Sequence, residues 1–188
     1  METMAERARG VLFEPRAAFK EVESEFTKPG AIWGRYILPL AAIGPIAGAV
    51  GRVVFGKRIA LTTLTGSVSI TDAVTWAVIS YVLALVAVFV LAKVISLLAP
   101  GFGGQKNDVQ ALKVAAYAST PMWLAGAFSV YARLVVVGVI VSAYSLYLLY
   151  VGLPILMKVP QDRSMGYTAV VIIAAVVIFL LVSTYTLF

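Results

Sequence analysis

Three tyrosines, Tyr144, Tyr147 and Tyr150, recur at every third position of an otherwise apolar stretch, with Ser145 among them. A second polar group, Tyr117, Ser119 and Thr120, directly precedes Pro121 in another apolar stretch. Hydroxyls set in hydrocarbon can do two kinds of chemistry. They can hydrogen-bond between helices, or they can line a polar pocket that admits water, a small ligand or a lipid headgroup. A spacing of three carries the tyrosines slowly around one helix face. Pro121 removes a helix hydrogen bond and leaves a carbonyl one turn earlier, near Tyr117, without its donor. The two groups are therefore expected to turn inward and meet, either as structural hydrogen bonds with aromatic packing or as an intramembrane pocket. Both readings stand at this point, with interface-belt anchoring as a third, and Tyr150, nearest Lys158, can instead reach the headgroups.

Other chemistry is poorly supplied. The chain has no His and no Cys, which removes imidazole acid–base catalysis, thiol nucleophiles, disulfides and Cys/His metal sites. Of nine acidic residues, six lie between Glu2 and Glu25, leaving Asp72, Asp108 and Asp162 for everything else. No catalytic residue, metal or cofactor is expected. With 61% hydrophobic and 13% charged residues in 188, and a mean hydropathy of +0.96, the chain is an integral membrane protein.

Residues 1–30 differ from the rest and read as a cytoplasmic amphipathic segment. Phe13, Phe19, Val22 and Phe26 sit among charges, and Pro15 suits a first helical turn. An interfacial helix and a solvated helix packed under the bundle are equally good readings. Residues 31–188 are expected to form an all-α bundle of five transmembrane helices, at about 31–55, 72–99, 109–128, 129–157 and 166–187. Trp33 and Tyr36 suit the headgroup belt, Gly44 and Gly48 a close helix contact within the subunit, and Thr71 or Asp72 a helix cap. Lys93 should snorkel to the near interface. The connection at 51–72 reads as a short hairpin or irregular loop.

Orientation follows from charge. Five crossings with the N-terminus inside put eleven of the fifteen Lys and Arg on the cytoplasmic side, against Arg52, Lys57, Arg58 and Arg133 outside. The N-terminus is expected inside and the C-terminus outside a prokaryotic cytoplasmic membrane. The net charge of +6 then answers to topology and anionic lipid, and nucleic acid is not an expected partner.

Three stretches in order, "RARGVLFEPRAAFKEV", "LKVAAYASTPMWLAG" and "YSLYLLYVGLPILMKVPQDRS", resemble the Yip family of Ypt/Rab-interacting membrane proteins in its prokaryotic branch. Phe13, Pro15, Tyr117, Pro121, Tyr150, Gly152 and Pro160 match its recurrent pattern. The resemblance implies a cytoplasmic N-terminal segment followed by five helices. It also implies a non-enzymatic scaffold of the assembly or trafficking type, with membrane lipids, further copies or other membrane proteins as partners. The chain has no Asp-Leu-Tyr-Gly-Pro motif and no long acidic, proline-rich extension, so a GTPase partner is not carried over. A small transporter, channel or lipid-handling protein, with its polar pocket between the third and fourth spans, is the alternative.

Overall fold

A computed structural model describes residues 3–58, 65–66 and 68–187. The N-terminal segment forms two short helices, α1 (Met4–Phe13) and α2 (Pro15–Ser24), where one was expected. Thr3 and Glu6 cap α1 reciprocally. The chain leaves helical geometry at Glu14 (φ −130°, ψ 56°), and Pro15 takes the first position of α2, where its missing N–H costs nothing.

The first long segment, Pro29–Phe55, is a single path built from α3 (Pro29–Ile32), a π-helical turn (Trp33–Ile37), α4 (Leu38–Ala41) and α5 (Ile43–Phe55). The widened turn comes immediately before Pro39, with the Leu38 N–H reaching back five residues to the Trp33 carbonyl. Beyond it, β1 (Lys57–Arg58) pairs antiparallel with β2 (Thr65–Gly66). The helix α6 (Ile70–Leu98) starts two residues earlier than expected. Its cap is Ser69, which accepts from the Asp72 N–H, and neither Thr71 nor Asp72 takes that place. A 3-10 turn (Ala99–Phe102) ends it at Gly103, whose φ of 78° needs glycine.

The polar third segment is broken into α7 (Asp108–Ala118), capped by Asn107, and α8 (Thr120–Ala125), followed by 3-10 turns at Gly126–Val130 and Ala132–Leu134. Thus α9 (Val135–Met157) begins later than residue 129, and α10 (Gln161–Leu187) starts before residue 166. Lys158, in left-handed geometry, and Pro160 make the sharp stop between them.

Among the described residues, four stretches are long and apolar enough to cross a bilayer: Pro29–Phe55, Ile70–Phe102, Val136–Met157 and Gln161–Thr184. The segment 108–130 is not one of them, because it is broken at Ser119 into helices of 11 and 6 residues. Every residue from Ala111 to Pro121 is buried, with α6 and α9 as the main neighbours and α1 and α3 alongside. The least apolar helix of the bundle is its central one. Ala111, Ala115, Ala116 and Ala118 let those neighbours approach closely. The apolar residues point the other way on the outer helices: Val74, Val78, Val82 and Val86 form one exposed stripe on α6, and Ile173, Val177 and Leu181 expose themselves on α10.

Glycines set the closest crossing. A Cβ on Gly126 would lie 2.6 Å from the Gly44 Cα, and one on Gly48 would lie 2.6 Å from the Trp76 ring. The Ser129 hydroxyl donates at this crossing to the Gly44 carbonyl (3.1 Å). Both glycines of the expected small-residue pair are thus used within the chain.

Candidate functional site

The break between α7 and α8 gathers Tyr117, Ser119, Thr120 and Pro121, all buried. Ser119 donates to the Ala115 carbonyl of its own helix (2.7 Å). Thr120 pairs at 2.7 Å with Tyr36 of the π-helical turn. The Tyr36 and Tyr117 rings meet edge to face with centroids 4.8 Å apart, and Trp123 lies 6.5 Å from Tyr36. Tyr36 is therefore a core residue, 5% exposed, and not part of the headgroup belt. The widened turn sits at the same place as this bond.

The tyrosines of α9 divide. Tyr144 is half-buried, and its hydroxyl donates to the Leu12 carbonyl of α1 (2.9 Å). Its partner is thus the N-terminal segment and not the third-span hydroxyls. Ser145 is part-buried, with its hydroxyl oxygen enclosed. Tyr147 and Tyr150 face outward, 44% and 49% exposed. The expected inward convergence of Tyr144 and Tyr147 on the third-span hydroxyls does not occur, because each step of three residues turns the side chain by about 60° around the helix, and Tyr150 takes the outward course open to it near Lys158.

What α9 and α7 do instead is hold the N-terminal hairpin. Along α9, Tyr144 meets Leu12, Gly152 meets Phe19 and Lys158 meets Glu23 (3.0 Å), so α2 runs beside α9 in the same direction. A Cβ on Gly152 would lie 2.8 Å from the Phe19 ring, so any larger residue must displace that ring. From α7, the buried Lys113 ammonium donates to the Val22 (2.7 Å) and Glu25 (2.6 Å) carbonyls, and the Gln110 amide donates to the Glu23 carbonyl (2.9 Å). These are carbonyls that the end of α2 leaves without helical donors, and a cation there also opposes the negative end of the helix dipole. Arg7 of α1 closes the hairpin onto Glu25 (2.9 Å) and Glu21 (3.7 Å).

Of the residues expected on an interfacial helix, Phe19 and Val22 are fully buried and Pro15 is partly so. Phe13 and Phe26 are 78% and 97% exposed, because the break at Glu14 and the helix end at Ser24 remove them from the face that Phe19 and Val22 share.

A second constellation lies where Pro29, the turn before α7 and the end of α6 come together. Lys93 donates to Asp108 (2.6 Å), and Ser96 donates to the other carboxylate oxygen. Hydrogen bonding from Lys93, then from Ser96, holds the Asp108 carboxyl below the usual carboxylate range. Beside them opens a cleft of 250 Å³ lined by Trp33, Phe89, Ala92, Val109 and Leu112, with Pro29 at its rim. None of the tyrosines expected to form a pocket lines it. Among the described residues, no group of three or more His, Cys, Asp or Glu could hold a metal ion.

Several of these residues were visible in the sequence only in part. Lys113 and Gln110, three apart, share a helix face, yet nothing local names the carbonyls they reach. Tyr167 donates to the Ile95 carbonyl (2.7 Å) in a contact between α10 and α6 that no motif marks.

A family model of the Yip1 domain matches residues 9–184, nearly the whole chain. The chain belongs to the Yip1 domain family. The match begins inside α1 and ends near the close of α10, so the Yip1 domain includes the docked hairpin as well as the bundle. Among curated proteins, the inner membrane protein YohC of Escherichia coli (strain K12) is 23% identical over 163 residues, covering 85% of this chain and 83% of YohC. The YohC of Escherichia coli O6:H1 matches to the same extent. No solved structure matches. As a Yip1 domain protein with four long apolar helices, this chain is an integral membrane protein.

Proposed function

We propose that the protein is a non-enzymatic scaffold, an assembly or trafficking-type interaction protein that engages other membrane proteins, or further copies of itself, at its cytoplasmic end. One observation carries this reading. The hairpin is fastened on its inner side by Lys113, Gln110, Tyr144 and Phe19, while Arg9, Glu14, Arg16, Lys20 and Glu21 stand exposed on its outer side. A charged face of mixed sign, held rigidly, suits the recognition of another protein.

The topology in this reading has five crossings, with residues 109–128 as the third, the N-terminus inside and the C-terminus outside. The charge asymmetry supports it, as does the burial of α7, which lets a polar segment cross inside a protein sheath. The relatives named as inner membrane proteins support placement in a bacterial cytoplasmic membrane.

A photo-crosslinking residue at Ala17, on the exposed face of α2, tests the scaffold. Discrete protein adducts are expected, and they should vanish in the double variant Arg16→Glu, Lys20→Glu at unchanged thermal stability. Adducts to lipid alone, or adducts indifferent to the charge reversal, overturn the reading. Reporters fused at the C-terminus and within residues 101–107 should lie on opposite sides of the membrane; the same side for both defeats the topology.

A further inference from the structure

The Lys93–Asp108 cleft has a composition that the scaffold reading does not use. It lies at the end of the bundle where the first long segment begins at Pro29 and α6 approaches its 3-10 turn, which is headgroup depth for a helix that crosses. Its walls are the aromatic rings of Trp33 and Phe89 with Ala92, Val109 and Leu112, and at its mouth a cation and an anion stand 2.6 Å apart. Both side chains remain about half exposed, so the pair can be reached from outside. At 250 Å³ the cleft is below the ~300–1,000 Å³ of drug-sized ligand sites. It has room for a headgroup and the start of a chain, not for a whole lipid.

We propose that this cleft binds a phospholipid whose headgroup carries both a phosphate and a primary ammonium, as phosphatidylethanolamine does. The argument is charge complementarity at headgroup depth. A purely anionic headgroup that took Lys93 would leave the Asp108 carboxylate hydrogen-bonded by Ser96 only and without its contact ion. A zwitterion exchanges both partners at once, its phosphate going to the Lys93 ammonium and its ammonium to Asp108, so that no charge is left unpaired. A primary ammonium can donate hydrogen bonds to the carboxylate, which a quaternary choline cannot. Lys106, whose charge also acts on Asp108, adds attraction for the phosphate. Phe89, half exposed beside Lys93, offers the first methylenes of an acyl chain an apolar surface.

The test uses the full chain, purified and stripped of lipid, with phosphatidylethanolamine, phosphatidylcholine and phosphatidylglycerol of identical acyl chains as probes. Retention is read by native mass spectrometry. Phosphatidylethanolamine should be retained about tenfold more strongly than either of the others, and Lys93→Gln or Asp108→Asn should each erase that preference. Glu23→Gln, which breaks a different ion pair of the same end, should leave it intact. Should the charge variants fail to fold, Ala92→Leu fills the cleft without touching either charge and must lower retention of phosphatidylethanolamine. Equal retention of all three lipids overturns the proposal, as does a preference for phosphatidylglycerol. Equal binding of soluble glycerophosphoethanolamine would show a site for a free headgroup and so overturn the lipid assignment. Lipid-only crosslinks from the hairpin, with lipid selectivity of the cleft intact, would count against the scaffold alone.

Discussion

The Lys113 ammonium, on the most enclosed helix of the bundle, lies 2.6 Å from the main-chain oxygen of Glu25, eighty-eight residues earlier in the chain. A lysine in this position fastens one piece of backbone to another. The carboxylates nearest to it, Glu23 and Glu25, are engaged by Lys158 and Arg7.

Lys113→Met should free the hairpin. It leaves the Val22 and Glu25 carbonyls without their donor, which costs about 1–3 kcal/mol for such a buried group. Thermal stability in detergent should fall accordingly, and limited proteolysis should cut within residues 14–28 faster than in the parent. Unchanged proteolysis would mean that the hairpin is held without Lys113.

Gly152→Ala should act on the same joint from α9. Its new Cβ meets the Phe19 ring at 2.8 Å, an overlap that typically costs about 1–3 kcal/mol. Combined with Phe19→Leu, the penalty should shrink, and a double-mutant cycle measures the coupling. Additive effects would refute the contact.

Tyr144→Phe and Tyr147→Phe should differ. Tyr144 loses its bond to the Leu12 carbonyl, worth about 1 kcal/mol, whereas Tyr147, on the outer surface, should change stability by less than the error of a melt. Equal losses at both positions would place the Tyr147 hydroxyl in an inward contact.

Stability should be flat from about pH 5 to 8, because no histidine is present. Asp108, held below the ordinary carboxylate range, contributes stability that is fully present above its unfolded value near 4 and is lost as pH falls through its folded value. Asp108→Asn should reduce the fall of Tm on the acid side of about pH 4 and leave its remaining pH dependence in place. An identical acid limb in parent and variant would remove Asp108 from the account.

Gly126→Ala should be among the costlier single-methyl changes, since the added Cβ meets backbone, the Gly44 Cα, at 2.6 Å. Gly34→Ala, with nothing within 4 Å, should be neutral to stabilising. Similar melts for the two would argue against this helix crossing.

The long apolar helices were legible in the sequence because each carries its own signal, and so was the helix start at Pro15. The role of α7 was not. Low hydropathy describes a marginal span and a fully enclosed central helix equally well, and only the neighbours distinguish them. Tyr36 shows the same limit, since near the start of a long apolar segment it satisfies a belt pattern whether it faces headgroups or Thr120. The partner of Tyr144 lies 132 residues away, beyond any local periodicity. Ser96 and Asp108 escaped attention because neither is unusual where it stands; their meaning is their convergence on Lys93.

The docked hairpin also has a bearing on how the molecule is made. Its first helices leave the ribosome long before α7 and α9, which supply Lys113, Tyr144 and Gly152. Contacts so distant along the chain form late, and until they do Phe19 and Val22 have no apolar seat in the bundle. A segment made before its partners is thus among the last to find its place. A chain arrested before α9 would leave those side chains uncovered at the membrane surface, where quality-control proteases could tell an unfinished molecule from a complete one.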